Sequence, residues 1–184
     1  MANHTAPSGV ERFFDEGEII VSKTTTNGII TYTNDVFVRV SGYREEELIG
    51  APHSLIRHPD MPRSVFRLLW DVIEKRDEIF AYVVNMARNG DHYWVLAHVT
   101  PSYAADGRVV GYHSNRRVPS RSAIDAIRPV YAALLAEEQK HERKADGIAA
   151  ATEVLTSTLR SIGKSYEEFV WGLTNADQGG GRSC

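Results

Sequence analysis

The chain has one cysteine, Cys184, and it is the last residue, so there is no internal disulfide framework and no Cys/His zinc cluster. That usage fits a reducing cytoplasm. Long apolar runs are missing as well. Nothing approaches the roughly 18 to 20 apolar residues of a membrane span, and Met1-Ala2-Asn3-His4-Thr5 has neither a basic nor an apolar signal region. The expectation is a soluble cytoplasmic protein, in which Asn3-His4-Thr5 matches a glycosylation sequon by chance. Neither sign of charge dominates: 21 basic and 24 acidic side chains give -3, and no segment gathers Lys and Arg into a phosphate-binding face, which argues against nucleic acid. Enzyme signatures are absent too. There is no G-x-S-x-G and no G-x-G-x-x-G, and Gly163-Lys164-Ser165 ends like a phosphate loop but has Thr158 where the first glycine belongs.

What is present is the composition of a folded domain: 42% hydrophobic and 24% charged residues over 184 positions, enough for one domain with an appendage. Three turn dipeptides, Asn27-Gly28, Asn89-Gly90 and Asp106-Gly107, each lie between runs rich in β-branched and aromatic residues. They predict five strands near 19–26, 29–33, 79–88, 91–102 and 108–117, pairing antiparallel. Between the second and third falls a helical insert, with short helices from Asn34 and through Glu45-Glu46-Glu47-Leu48 and a longer one after Pro62. In the longer helix Asp60 is placed near the cap, Pro62 in the first turn, and Val65, Leu69 and Val72 on an apolar stripe flanked by Phe66, Trp70 and Ile73.

From Ser120 onward the pattern is helical, with a first turn broken near Arg128-Pro129. A seam of alternating threes and fours runs from Ile124 through Ile127, Tyr131, Leu134, Glu138, His141 and onward to Leu173, the rhythm of a coiled coil, with Glu138, His141 and Thr152 as its polar exceptions. Gly147 and Gly163 weaken the helix locally and leave room for a hairpin instead. The resulting division is an N-terminal cap segment 1–17, a sensor domain 18–119, a helical signalling and dimerisation segment 120–174, and a disordered tail 175–184. The fold class is α+β.

Two runs carry candidate chemistry. Pro52-His53-Ser54-Leu55-Ile56-Arg57-His58-Pro59-Asp60-Met61-Pro62 packs two imidazoles, a guanidinium and a carboxylate into a loop stiffened by prolines. The second, from Asn85 to Trp94, crosses a hairpin. A buried mid-strand Asn85 would offer both a donor and an acceptor to the edge of a heteroaromatic ring, and Tyr93 and Trp94 must point to opposite faces.

At these residues the chain resembles the FAD-binding PAS domain of the bacterial aerotaxis-receptor family. The resemblance rests on Asn34-Asp35-Val36-Phe37-Val38, Val40-Ser41-Gly42-Tyr43, Arg57-His58-Pro59-Asp60-Met61-Pro62 and Asn89-Gly90-Asp91-His92-Tyr93-Trp94-Val95, in order, within about residues 19 to 135. It implies a PAS fold, a five-stranded antiparallel sheet with a helical insert between strands 2 and 3. It also implies FAD held between sheet and insert, whose redox state reports respiratory or oxygen status to a signalling partner, with self-association through the C-terminal helix. The cofactor residues it implies are Asn34, His53, Arg57, His58, Asp60, Phe66, Trp70, Asn85 and Tyr93. A haem-binding sensor using His58, His92, His98 or His113 is the rival reading, and a cofactor-free interaction module is the other. A light-sensing adduct domain is disfavoured, because it needs a thiol beside the flavin.

Overall fold

Three glycine-containing turns fold the middle of the chain into hairpins, and the strands fall where the alternation puts them. The computed structural model describes residues 5–175; the tail, with Cys184, and most of the sequon lie outside the described residues. Strands β1 (Ile20–Thr24), β2 (Ile30–Thr33), β3 (Ile79–Met86), β4 (His92–Tyr103) and β5 (Val109–Arg117) form one antiparallel sheet in the order β2-β1-β5-β4-β3. Period-two alternation sends Val83, Asn85, Tyr93, Ala97, Ser114 and Arg116 to the inner face and Phe80, Tyr82, Val84, Trp94 and His98 to the outer one.

The insert covers the inner face with α1 (Asp35–Ser41), α2 (Glu45–Leu48), a 3-10 turn at His53–Ile56, and α3 (Arg63–Ile73). Asn34 caps α1: its Oδ1 accepts from the Phe37 N–H at 3.1 Å and the Val21 N–H at 3.0 Å, while its Nδ2 donates to the Ile19 carbonyl at 2.8 Å. Ahead of the sheet, Ser8–Arg12 pairs with the start of β4, and Arg12 and Ser8 bind Asp91.

The outer face is covered by the chain's own C-terminus, and here the coiled-coil expectation is corrected. Instead of one long seam there are three helices, α4 (Arg121–Gln139), α5 (Lys144–Ser161) and α6 (Tyr166–Asn175). Ser120 caps α4 as expected, and α4 runs through Pro129 without breaking. Ile124, Ile127, Tyr131 and Leu134 are buried in the core, with the Tyr131 hydroxyl donating to the Tyr82 carbonyl at 2.5 Å and its ring near Trp94. After a turn at Lys140–Arg143 the buried face becomes Gly147, Ala151, Leu155 and Leu159, a four-residue spacing, while Ala145 points outward. A helix with that narrow stripe packs flat against its neighbours α4 and α3 rather than winding around a second chain. α6 returns to β3, where Trp171 meets Phe80 at 4.7 Å and the Thr174 and Tyr82 hydroxyls lie 2.8 Å apart. No helix among the described residues is long and apolar enough to cross a membrane.

Gly147 is a contact residue, not a weak point. A Cβ there would sit 2.5 Å from the Glu138 carbonyl oxygen, so only glycine lets α5 approach α4 this closely. Gly147→Val should therefore lower stability by about 1–3 kcal/mol through overpacking. Urea unfolding with unchanged slope and a lower midpoint is the expected readout; an unchanged midpoint would mean that the hairpin is not packed in this way.

Candidate functional site

Residues 50–57 form a strap across the inner face of the sheet. At one end the Ile30 N–H donates to the Ala51 carbonyl at 2.9 Å and the His53 N–H to the Gly28 carbonyl at 2.9 Å; at the other, Arg57 bridges to Asn85 of β3. The strap thus joins the β2 side of the sheet to the β3 side. Beneath it, walled by α3, lies a cavity of about 280 Å³. Strand register lays its floor in rows: Arg116 beside Ala97, then Ser22, Ser114 and Val99, then Thr24 and Tyr112.

The walls are apolar. Phe66, Leu69, Trp70 and Ile73 come from successive turns of α3, and Val83, Ala97 and Val99 come from the sheet. Trp70 meets Tyr112 edge-on at 5.5 Å and lies against the turn at Gly28, whose φ of 74° calls for glycine.

Polar groups cluster in this apolar setting without enough partners. Arg116 is 3% exposed. Its Nη2 donates to Ser22 Oγ at 2.6 Å and to His53 Nε2 at 2.6 Å, and its Nη1 has no partner. Burial pulls its pKa down to about 10, which leaves it charged at neutral pH. Arg57 stacks over Phe66 at 4.1 Å with its Nε unpaired. Asn85 Nδ2 and Ser114 Oγ are likewise buried and unpaired. His53 is pushed down to about 3, first by desolvation and then by the two guanidinium groups, so its ring is neutral and Nε2 is its acceptor nitrogen.

Five of the nine residues named from sequence therefore line one cavity: His53, Arg57, Phe66, Trp70 and Asn85. The other four stand outside it. Asn34 uses its amide oxygen to cap α1 and hold the Val21 N–H, and one amide N–H to bond the Ile19 carbonyl. His58 is buried beside His92 at 5.7 Å, its Nδ1 accepting from the Asp60 N–H at 3.1 Å, and the Asp60 carboxylate is exposed. Tyr93 is fully buried next to the cavity wall, its unpartnered hydroxyl held above its usual pKa by burial. Arg116, Ser114, Tyr112 and Ser22 line the cavity without having been named. The signal for three of them was in the sequence: Tyr112, Ser114 and Arg116 share one face of a strand whose other neighbours demand burial.

The family model described as PAS fold matches residues 30–116. This stretch takes the PAS fold. The PAS region is 42% identical over 115 residues to the aerotaxis receptor of Escherichia coli (strain K12), which covers 62% of this chain and 22% of that one. It is 26% identical over 103 residues to a nitrogen fixation regulatory protein of Klebsiella pneumoniae, covering 56% of this chain and 21% of that protein. The chain spans about a fifth of the length of these curated relatives. In three dimensions a light-oxygen-voltage domain studied with a flavin analogue superimposes with a TM-score of 0.53 at 18% identity, covering 67% of this chain and 87% of that one, a likeness of fold.

The depressed histidine makes a testable pH dependence for the PAS domain. Folded His53 stays neutral while the unfolded chain takes up its proton below 6.5, so the stability it contributes is full above that pH and is lost as pH falls toward 3. His58 is lowered as well, mainly by burial, and adds in the same direction. Between pH 6.5 and about 4.5, above most carboxylate titration, stability should fall with a slope of up to about 1.4 kcal/mol per pH unit for each histidine. His53→Gln should flatten that slope in urea titrations. An unaltered slope would place a protonated His53 in the folded state.

Proposed function

We propose that the chain is a flavin-binding redox sensor whose cofactor is FAD and whose state passes through the C-terminal helices to a signalling partner. One observation carries this reading: an apolar-walled cavity lined by residues with buried, unpaired donors, Arg116 Nη1, Arg57 Nε and Asn85 Nδ2. The isoalloxazine ring is apolar in its benzenoid part and rich in acceptors along N1, O2, O4 and N5, which complements apolar walls with unpaired donors. The cavity, about 280 Å³, falls just below the usual range of ligand pockets, about 300–1,000 Å³, and suits the ring rather than a whole dinucleotide. The sequence resemblance to the aerotaxis-receptor family favours FAD over FMN, and a flavin analogue is named for the light-oxygen-voltage domain of similar fold. A cytoplasmic setting belongs to the same reading.

When bound, a flavin supplies reversible electron uptake at its central ring. The protein's part is binding and electrostatics. Phe66 and Trp70 would cover the ring faces, Asn85 and Ser114 would bond its polar edge, and Arg116 and Arg57 would favour any added negative charge, because both are fixed cations in a poorly solvated site. Charge change at the edge reaches β5 directly through Arg116, and β5 leads into α4 within four residues. Self-association through the C-terminal segment would use the apolar side chains it leaves exposed, Val154, Ile162 and Trp171.

The haem alternative finds little support in the geometry. His58, His92, His98 and His113 all lie away from the cavity, and His53, the imidazole that lines it, has its acceptor nitrogen engaged by a guanidinium that would repel an iron cation.

Purified protein should be yellow, and acid should release FAD, identified by chromatography and mass; haem, or FMN alone at full occupancy, would overturn the proposal. Trp70→Ala and Asn85→Ala should each weaken FAD binding by about five- to a hundredfold, the equivalent of about 1–3 kcal/mol. Arg116→Gln should lower the flavin midpoint potential by on the order of 60 mV for one electron, about 1.4 kcal/mol. Unchanged potential in that variant would place the charge away from the ring.

A further inference from the structure

Helix α3, which carries most of the cavity wall, begins without a cap of its own. Its N-cap residue is Pro62, which offers no side-chain acceptor, and its first turn contains no acidic residue. A buried helix start must satisfy its free N–H groups somewhere. The partner comes from far along the chain: Glu138, near the end of α4, accepts from the Ser64 N–H at 2.8 Å, the Ser64 hydroxyl at 2.8 Å and the Arg63 N–H at 3.2 Å. Ser64 is 0% exposed. Glu138 is also one of the polar residues interrupting an otherwise apolar helical pattern, a position where a carboxylate needs a specific reason.

One further contact and one electrostatic effect involve the same residue. Its backbone carbonyl lies so close to α5 that only Gly147 fits opposite it. Its carboxylate also exerts a favourable field on the charged form of Arg57, which burial and Arg63 oppose. Arg57 lies over Phe66, in the first turn and a half of α3, and both line the cavity.

We infer that Glu138 is a positioning residue that couples the ligand cavity to the C-terminal helices: by capping α3 from α4 beside the Gly147 contact, it makes the cavity wall and the α4–α5 hairpin shift together. The route is distinct from the covalent path through β5. A ligand that orders α3 changes how firmly the Ser64 and Arg63 N–H groups hold Glu138, and the hairpin packed on Glu138 feels the change. By reciprocity, loosening the hairpin weakens the ligand. The ligand arm of this inference rests on the flavin reading; the capping arm does not.

The test uses the full chain, free and with FAD, as wild type, Glu138→Ala, Glu138→Gln and Leu159→Ala. Amide exchange is followed over residues 63–70 and 144–161, and FAD affinity is measured by titration of the apoprotein. In wild type, FAD should slow exchange in both segments. Glu138→Ala should lose the FAD-dependent protection of 144–161 and bind FAD about three- to tenfold more weakly. Glu138→Gln, which keeps an acceptor oxygen but no charge, should restore slow exchange at Ser64 while leaving part of the affinity loss. Leu159→Ala, which loosens α5 without touching the carboxylate, should speed exchange in 144–161 yet keep FAD-dependent slowing there. Retention of FAD-dependent protection of the hairpin in Glu138→Ala would overturn the coupling, as would a complete loss of it in Leu159→Ala. If wild type binds no FAD, the functional reading fails by itself. The capping link is then judged in free protein, where Glu138→Ala must speed exchange in both segments, and an effect confined to one would refute it.

Discussion

A guanidinium placed in an apolar cavity with neutral partners is costly, since a buried charge is tolerated only where hydrogen bonds or an opposite charge meet it. Arg116 is in that position, and much of the surrounding architecture answers to it. Ser22 from the neighbouring strand takes one of its N–H groups, and His53 from the strap takes another, which obliges the imidazole to remain neutral. The Phe37 ring lies 5.1 Å from the guanidinium and offers its π face. What remains, Nη1, faces no protein acceptor. With Arg57 and Asn85 close by in the same condition, the fold concentrates unspent donor capacity in one place, which is the signature of a site made for a ligand rich in acceptors.

The strap and the C-terminal helices serve that concentration from opposite sides. The strap is held at both edges of the sheet by backbone hydrogen bonds, so His53 and Arg57 are positioned by main chain rather than by flexible side-chain contacts. Helix α3 closes the wall, and its free end is completed by Glu138 from α4. On the outer face the helices bury Tyr82, Val84 and Trp94, residues of the same strands whose inward neighbours line or adjoin the cavity. Sheet, strap and helices therefore share strands, and a change on one face has short paths to the other.

Much of this was legible in the sequence because it depends on local chemistry. Asn-Gly and Asp-Gly turns declare hairpins through backbone preference alone, and all five strands fall within a few residues of the positions they predict. Asn85 and Arg57 could be singled out because a polar residue in a run that must be buried demands an explanation. Arg116 obeys the same rule but lies at a strand end beside exposed Arg117, where a basic residue reads as solvent-facing unless the alternation is followed from Tyr112. A motif records that a residue matters, not whether it holds a ligand or the frame: Asn34 bonds the frame around α1, and Tyr93 is buried beside the cavity wall. The helical character of the C-terminal segment was legible too, but its course was not. The three-four spacing runs across His141-Glu142-Arg143, a turn with neither glycine nor proline, and only tertiary packing distinguishes one long coil from a hairpin there.

The central claim is that the unpaired donors of Arg116 and Asn85 face a bound flavin. Side-chain nitrogen-15 NMR of these two residues, recorded on apoprotein before and after one equivalent of FAD, tests it most directly. The account predicts that the Arg116 guanidinium and Asn85 amide signals shift and become slow to exchange with water when FAD is added, while exposed Arg117 does not respond. Unmoved signals from Arg116 and Asn85 in a sample that demonstrably holds FAD would contradict it.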